Sequence, residues 1–306
     1  MPTLNAAETA ALLPYPELAD ALAEVLRLRQ AGIAFAPPRL IMPLAEDGLL
    51  LLMPATDGEI AITKLATAHT RNAARGLPSI QAEVYVMESA TGRRLFSLDG
   101  AVVTARRTAA LSLLAARILA PDPTGTLLIV GAGTQGRSHL DAFADGLGTR
   151  RVLIASRTPA SAEALAAYAI GRGLNASVIV DAAAAALEAS LIVTATTSAT
   201  SVLPDFVGQN AFIAAVGAFK SSMAEVPSGL ARDAKVVVDS LEGAQAEAGD
   251  LIQAGIDWSA ARALEDVLGE PRPARGPILF KSVGHALWDL AVARLATARL
   301  SAADGA

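Results

Sequence analysis

The chain has no cysteine, which removes disulfides, thiolate zinc sites and a cysteine nucleophile at once. Its three histidines, His69, His139 and His285, form no ligand spacing, so neither a histidine metal site nor a catalytic histidine is expected. Aromatics are only 4 % of residues, too few for a base-stacking surface. Basic residues come in scattered pairs such as Arg106–Arg107 and Arg150–Arg151, and the formal net charge is −5, so nucleic acid is not an expected partner. No uninterrupted apolar run is long enough to span a bilayer. The opening MPTLNAAETA lacks the basic region and apolar core of a secretory signal. The expectation is a cytoplasmic protein without a membrane partner.

What the chain has in excess is alanine and leucine, which favour helices. Hydrophobic residues reach 53 % and charged residues only 18 % of 306, enough to bury a large core and too long a chain for a single one. Asn5-x-x-Glu8 has the form of a capping box opening a short helix to Leu13, and Glu17–Gln30 has an amphipathic helical pattern stopped by Gly32. Residues 39–103 then alternate short β-like runs (39–43, 49–54, 60–66, 82–87 and 95–98) with turn signals such as Asp47-Gly48 and Asp99-Gly100. Thr104 is the expected cap of a helix running to about Ala120. Beyond Pro121 and Pro123, near-continuous apolar strands alternate with helices (127–130, 152–155, 177–180, 191–195, 212–216 and 236–239), the signature of a parallel sheet covered on both faces. A last helix is expected over 282–300. The predicted organisation is α/β: a Rossmann-type doubly wound sheet over 120–282, plus a discontinuous mixed α+β substrate-binding and dimerisation domain from 1–119 and 283–306.

The strand ending at Val130 runs directly into Gly131-Ala132-Gly133-Thr134-Gln135-Gly136. Between a strand and a helix, this G-x-G-x-x-G pattern has the context a dinucleotide loop needs. Gly131 permits the tight turn, Gly133 lets backbone approach a pyrophosphate, and Gly136 lets helix pack on strand. Thr134 and Gln135 lie at the helix N-terminus, whose unpaired N–H groups suit an anion. About 20 residues on, where the ribose is read, the chain has Ser156-Arg157-Thr158 and no acid. That favours the 2′-phosphate of NADP(H), with NAD(H) as the alternative. Thr196, just past the strand expected at 191–195, and Ser282, at the start of the expected last helix, join the cofactor-binding candidates.

Three cations stand out upstream. In Ile60-Ala-Ile62-Thr-Lys64, period-two alternation puts Lys64 on the apolar face, where a lysine needs an anion or must reach water. Arg107 falls in the first turn of the helix expected from Thr104, where a cation opposes the macrodipole unless an anion joins it. Arg39 follows the stiff Pro37–Pro38 approach. Asp239, Glu242, Glu247 and Asp250 read as helix caps and solvated acids.

In their order, several segments resemble the ornithine cyclodeaminase/mu-crystallin family over nearly the whole chain: Pro38-Arg39, Thr63-Lys64-Leu65, Leu77–Ala82, Thr104–Ala110, Gly131–Gln135, Val238-Asp-Ser240, Gly249-Asp250 and Phe280–Gly284. The resemblance implies a homodimer that binds a nicotinamide dinucleotide and acts on small amino or imino acids. It implies that Arg39, Lys64 and Arg107 bind the substrate carboxylate, and it likens Ser156-Arg157-Thr158 to the NADPH-using mu-crystallin branch. One departure is plain: cyclodeaminases of the family place a catalytic aspartate just after the strand ending here at Val216-Gly217-Ala218, where this chain has Phe219-Lys220-Ser221. The leading expectation is therefore an NADPH-dependent reductase of cyclic ketimine carboxylates, with Lys64 as candidate proton donor. Ornithine cyclodeamination, amino-acid dehydrogenation and non-catalytic ligand binding are the alternatives.

Overall fold

The computed structural model describes residues 1–304, in two compact units. The first comprises Met1–Arg107 and the chain from His285 onward; the second is Thr108–Gly284.

In the first unit, strands β1 (Thr3–Leu4), β2 (Leu40–Pro43), β3 (Leu49–Thr56), β4 (Ile60–Ala68), β5 (Ile80–Glu88) and β6 (Arg94–Asp99) form one sheet in the order β1-β6-β5-β4-β3-β2. It is antiparallel except where β1 pairs with β6. Pro54 is tolerated inside β3 because β2 pairs only with Leu49–Leu52, leaving Pro54 an edge on that side. Helix α1 (Ala6–Ala11) begins with the capping box read from sequence: the Asn5 side chain accepts from Ala7 and Glu8, and Glu8 takes the Asn5 N–H. Helix α2 (Tyr15–Gln30) buries Leu18, Leu22, Val25 and Leu26, a stripe at helical spacing. The last helix, α10 (Ala286–Asp304), packs on α2 and lies over β3 and β4.

The structure corrects three expected helix starts: α2 begins at Tyr15, two residues before Glu17, with Pro16 accommodated in its first turn. Helix α3 (Gly100–Leu119) begins four residues before Thr104, because Asp99 is its cap: Asp99 Oδ1 accepts the Val102 N–H at 2.8 Å. The Asp99-Gly100 pair read as a turn is instead a cap followed by the first helical residue, and a Cβ at Gly100 would collide with the Ala82 backbone. Arg107 is thus two turns into the helix, so its setting is not explained by the helix end. Similarly α10 starts at Ala286 rather than Ser282, since Ser282–Gly284 are held as a loop by Asp239, which accepts from the Ser282 hydroxyl and the Val283 and Gly284 N–H groups.

The second unit is a wholly parallel sheet. Strands β7 (Leu127–Val130), β8 (Arg151–Ala155), β9 (Asn175–Val178), β10 (Leu191–Thr194), β11 (Phe212–Ala215), β12 (Lys235–Val238), β13 (Arg262–Ala263) and β14 (Ile278–Lys281) take the order β13-β12-β14-β11-β10-β7-β8-β9. Helices α4 (Thr134–Leu147), α5 (Pro159–Gly171), α6 (Ala182–Glu188), α7 (Ser228–Asp233), α8 (Leu241–Glu247) and α9 (Gly249–Ala254) connect them. Central strands such as β7, β10 and β11 are buried along their whole length, as a sheet covered on both faces requires. Strand order reverses at β7: the chain goes one way to β8 and β9, then returns to β10 on the other side. The predicted strand at 177–180 lies two residues earlier. β13 and β14, each very short and separated by a Gly/Pro-rich stretch, were not anticipated.

Candidate functional site

The site in the second unit starts from the reversal point, where open α/β sheets bind ligands beyond their strands' carboxyl ends. Gly131 has φ +113°, a left-handed conformation that disfavours any side chain, and a Cβ there would strike the Ala195 carbonyl of the neighbouring strand end. A Cβ at Gly136 would strike the Gly131 carbonyl, so helix α4 can lie this close to β7 only with glycine. Gly133, the α4 N-cap, faces open space, and its own side of the loop carries no side-chain cap. This is a cradle in which backbone N–H groups from Thr134 and Gln135 onward are left for an anion, and it fits a pyrophosphate. Behind it, His139 is fully buried; its Nε2 lies 2.9 Å from Ser112 Oγ and its Nδ1 2.8 Å from the Gln135 carbonyl. Burial pushes its pKa down to about 4, against a weaker opposing pull from the Gln135 carbonyl, so it is a neutral structural residue.

At the end of β8, the Ser156 hydroxyl accepts the Thr158 N–H at 3.3 Å, and Arg157 projects exposed, with no partner among the described residues. Thr196 and Ser282 follow β10 and β14. Thr196 donates its hydroxyl to Glu225 at 2.8 Å, and Ser282 donates its own to Asp239 at 2.7 Å. Sequence reasoning did not single out Glu225, and it read Asp239 and Asp250 as solvated; the structure corrects this, because all three are completely buried. Asp250 accepts the Glu225 and Val226 N–H groups and pairs with the buried Lys281 at 2.6 Å. Phe219 is 44 % exposed, with the Lys220 ammonium 5.7 Å from its ring centre. A separate cavity of about 430 Å3 opens at the other edge of the sheet, by Lys235, Arg262 and Ile278, where β12, β13 and β14 begin. That is the wrong end for a ligand of such a sheet, and it is not the candidate site.

The first unit carries the cationic cluster. Lys64 sits on the inner face of β4 with Ile60 and Ile62, as alternation predicts, and is 5 % exposed. It does not reach water: its ammonium pairs at 2.8 Å with Asp289, a fully buried carboxylate in the first turn of α10. The other Asp289 oxygen lies 3.5 Å from Arg107 Nε. Asp289 is the residue sequence reasoning missed; an acid inside the apolar stretch Ala286–Val292 was its only signal. Arg107 is also buried, and its terminal nitrogens have no partner among the described residues. Arg39 is half-buried, and continuing the β2–β3 register by one residue sets it opposite Met53, itself paired with Lys64. Burial pushes the Lys64 pKa below the lysine norm; Asp289 opposes this, while the charges of Arg107 and Arg39 add to it. Lys64 and Arg107 bring two positive charges against the single negative charge of Asp289, so one further monoanion balances the buried group.

The chain is similar to known proteins over nearly its whole length. The model of the ornithine cyclodeaminase/mu-crystallin family matches residues 3–304. The chain is 39 % identical over 304 residues to the Delta(1)-pyrroline-2-carboxylate reductase 1 of Burkholderia multivorans, covering 99 % of this chain and 97 % of that protein. A Delta(1)-pyrroline-2-carboxylate reductase from Thermococcus litoralis, solved with NADH and L-proline, superposes with a TM-score of 0.92 at 27 % identity, covering 99 % of this chain and 98 % of the other. An archaeal alanine dehydrogenase dimer with bound NAD superposes with a TM-score of 0.91 at 26 % identity, covering 99 % and 97 %.

Proposed function

Since the chain belongs to the ornithine cyclodeaminase/mu-crystallin family, we propose that it is a nicotinamide-dinucleotide-dependent reductase of small cyclic ketimine carboxylates, of the pyrroline-2-carboxylate or piperideine-2-carboxylate type. The observation that carries this reading is the buried pair Lys64 and Arg107, which shares the one carboxylate of Asp289 and calls for a second anion. A substrate carboxylate meets that need, with the free edge of the Arg107 guanidinium offering a two-pronged contact. Half-buried Arg39, which strand register sets opposite Met53, adds a third cation. Reducing C=N takes a hydride at carbon and a proton at nitrogen. A bound dihydronicotinamide supplies the hydride. Lys64, with its proton held by Asp289 and its pKa lowered by burial, is the group that gives the proton. Substrate-dependent oxidation of the reduced cofactor is the direct test.

The cofactor we infer is NADP(H), carried on Gly131–Gly136 with Ser156, Arg157 and Thr158 around a 2′-phosphate; NAD(H), bound in the solved relatives, is the alternative. An exposed guanidinium without a partner among the described residues, between two hydroxyls, supports a phosphate contact. Arg157→Ala should weaken NADPH binding by about 2 kcal/mol, roughly thirtyfold, and leave NADH almost untouched. Equal losses in titrations of the two cofactors would remove Arg157 from the site.

We further propose a homodimer formed through the sheet of the first unit. Leu40, Met42, Leu50, Leu52 and Leu65 share the face opposite Lys64 by strand register, and Leu40, Met42 and Leu65 are exposed. Such a continuous apolar patch is unusual on a monomer. Light scattering should give twice the chain mass at micromolar concentration, and Leu65→Glu should lower it; a monomer throughout would refute the proposal.

A further inference from the structure

At the carboxyl rim of the parallel sheet, hydroxyl protons are taken up by buried carboxylates. Thr196 Oγ1 donates to Glu225 Oε1, whose other partner is the Thr196 N–H at 2.6 Å. The second oxygen, Oε2, accepts from the Thr194 hydroxyl at 3.1 Å and from the N–H groups of Gly217 at 2.7 Å and Ala218 at 3.2 Å. Three of these five donors are backbone amides, which cannot reverse, so the carboxylate side is committed to accepting. The Glu225 main chain is itself fixed, since its N–H and that of Val226 go to Asp250, paired with Lys281.

The consequence falls on Thr196. With its proton committed, the hydroxyl oxygen can only accept; it takes the Ser198 N–H at 3.2 Å, and one lone pair is left. Ser282 is in the same state against Asp239 but is almost fully buried, whereas Thr196 is only half-buried.

Thr196 stands two residues past the end of β10. Beyond the paired row Val130–Thr194–Ala215–Lys281, the register continues through Ala195, Val216 and Ser282, whose N–H groups bond to Val130, Thr194 and Ala215. A dinucleotide with its pyrophosphate on Gly131–Gly136 sends one nucleoside toward β8 and the other across the reversal point toward β10 and β11. The half that leaves toward β10 ends in a pyridine ring bearing a primary carboxamide, whose NH2 is a donor.

We propose that Thr196 Oγ1 is the acceptor that reads this carboxamide NH2, and that Glu225 is the positioning residue that makes the Thr196 hydroxyl an acceptor only. The proposal rests on the reading of Gly131–Gly136 as a dinucleotide loop. It predicts a preference for a donor on the ring substituent, independent of turnover.

The test is calorimetric binding, without substrate, of reduced cofactor and two analogues: 3-acetylpyridine, in which methyl replaces NH2, and thionicotinamide, which keeps the NH2. The wild type should bind the acetylpyridine form about five- to tenfold more weakly than the nicotinamide form, the scale of one neutral hydrogen bond, and the thionicotinamide form within about threefold. Thr196→Val should erase the difference by weakening only the NH2-bearing cofactors, and Thr196→Ser should restore it. Glu225→Gln, able to donate toward Thr196, should shrink it. Equal wild-type affinity for the nicotinamide and acetylpyridine forms would overturn the proposal without any variant. Failure of all three dinucleotides to bind would overturn the loop reading itself.

Discussion

Replacing Asp289 by asparagine is expected to destabilise the chain by about 3–5 kcal/mol at neutral pH, because it leaves the buried Lys64 and Arg107 cations without their shared anion. The loss should depend on pH in a defined sense. Lys64 already has a lowered pKa in the fold, and without Asp289 it falls further, since Asp289 is what opposes burial. Between that folded value and the ordinary lysine value the unfolded chain binds more protons, so the stability of the variant rises with pH. Denaturant titrations should therefore show the penalty shrinking as the pH is raised toward the lysine range. Adding Lys64→Met should recover part of it, because one uncompensated charge is removed. A penalty below about 1 kcal/mol would mean that the three groups do not act as one buried unit.

Arg107→Lys should lower kcat/KM for the imine on the order of 100-fold, with unchanged cofactor affinity. The charge is kept, but the ammonium lacks the second prong that the unpartnered edge of the guanidinium offers a carboxylate. It also moves the charge away from the position of Nε beside Asp289. Wild-type kinetics in this variant would take Arg107 out of the substrate site, and an equal loss of cofactor binding would point to misfolding.

How far the sequence could be read depends on which interactions are local. Lys64 on an apolar strand face and the glycines of the 131–136 loop are short-range patterns, and the structure has them in the expected setting. Asp99-Gly100 shows the limit, since the same dipeptide serves as a turn or as a helix start according to whether the next residues stay helical. β14 is only four residues long, and its position between β11 and β12 is decided by distant strands. Asp289 and Glu225 were illegible for a related reason. An acid in an apolar helix and an acid in a loop gain their meaning only when Lys64, far earlier in the chain, or the ends of β10 and β11, come within reach.

Phe219 gives the account its sharpest edge. From Gly217 to Ala224 the loop after β11 has no carboxylate, and the resemblance to cyclodeaminases of the family implies an aspartate where this chain has Phe219 and Lys220. Cyclodeamination begins by oxidising an amine, and the proton that leaves needs a nearby base. A compact ring with one anchored carboxylate needs none there. The decisive measurement is a side-by-side assay of one preparation: NADPH oxidation with pyrroline-2-carboxylate against ammonia release from ornithine with NAD. The predicted result is rapid imine-dependent oxidation beside weak or absent ammonia release. Ammonia release from ornithine outpacing imine reduction would contradict it.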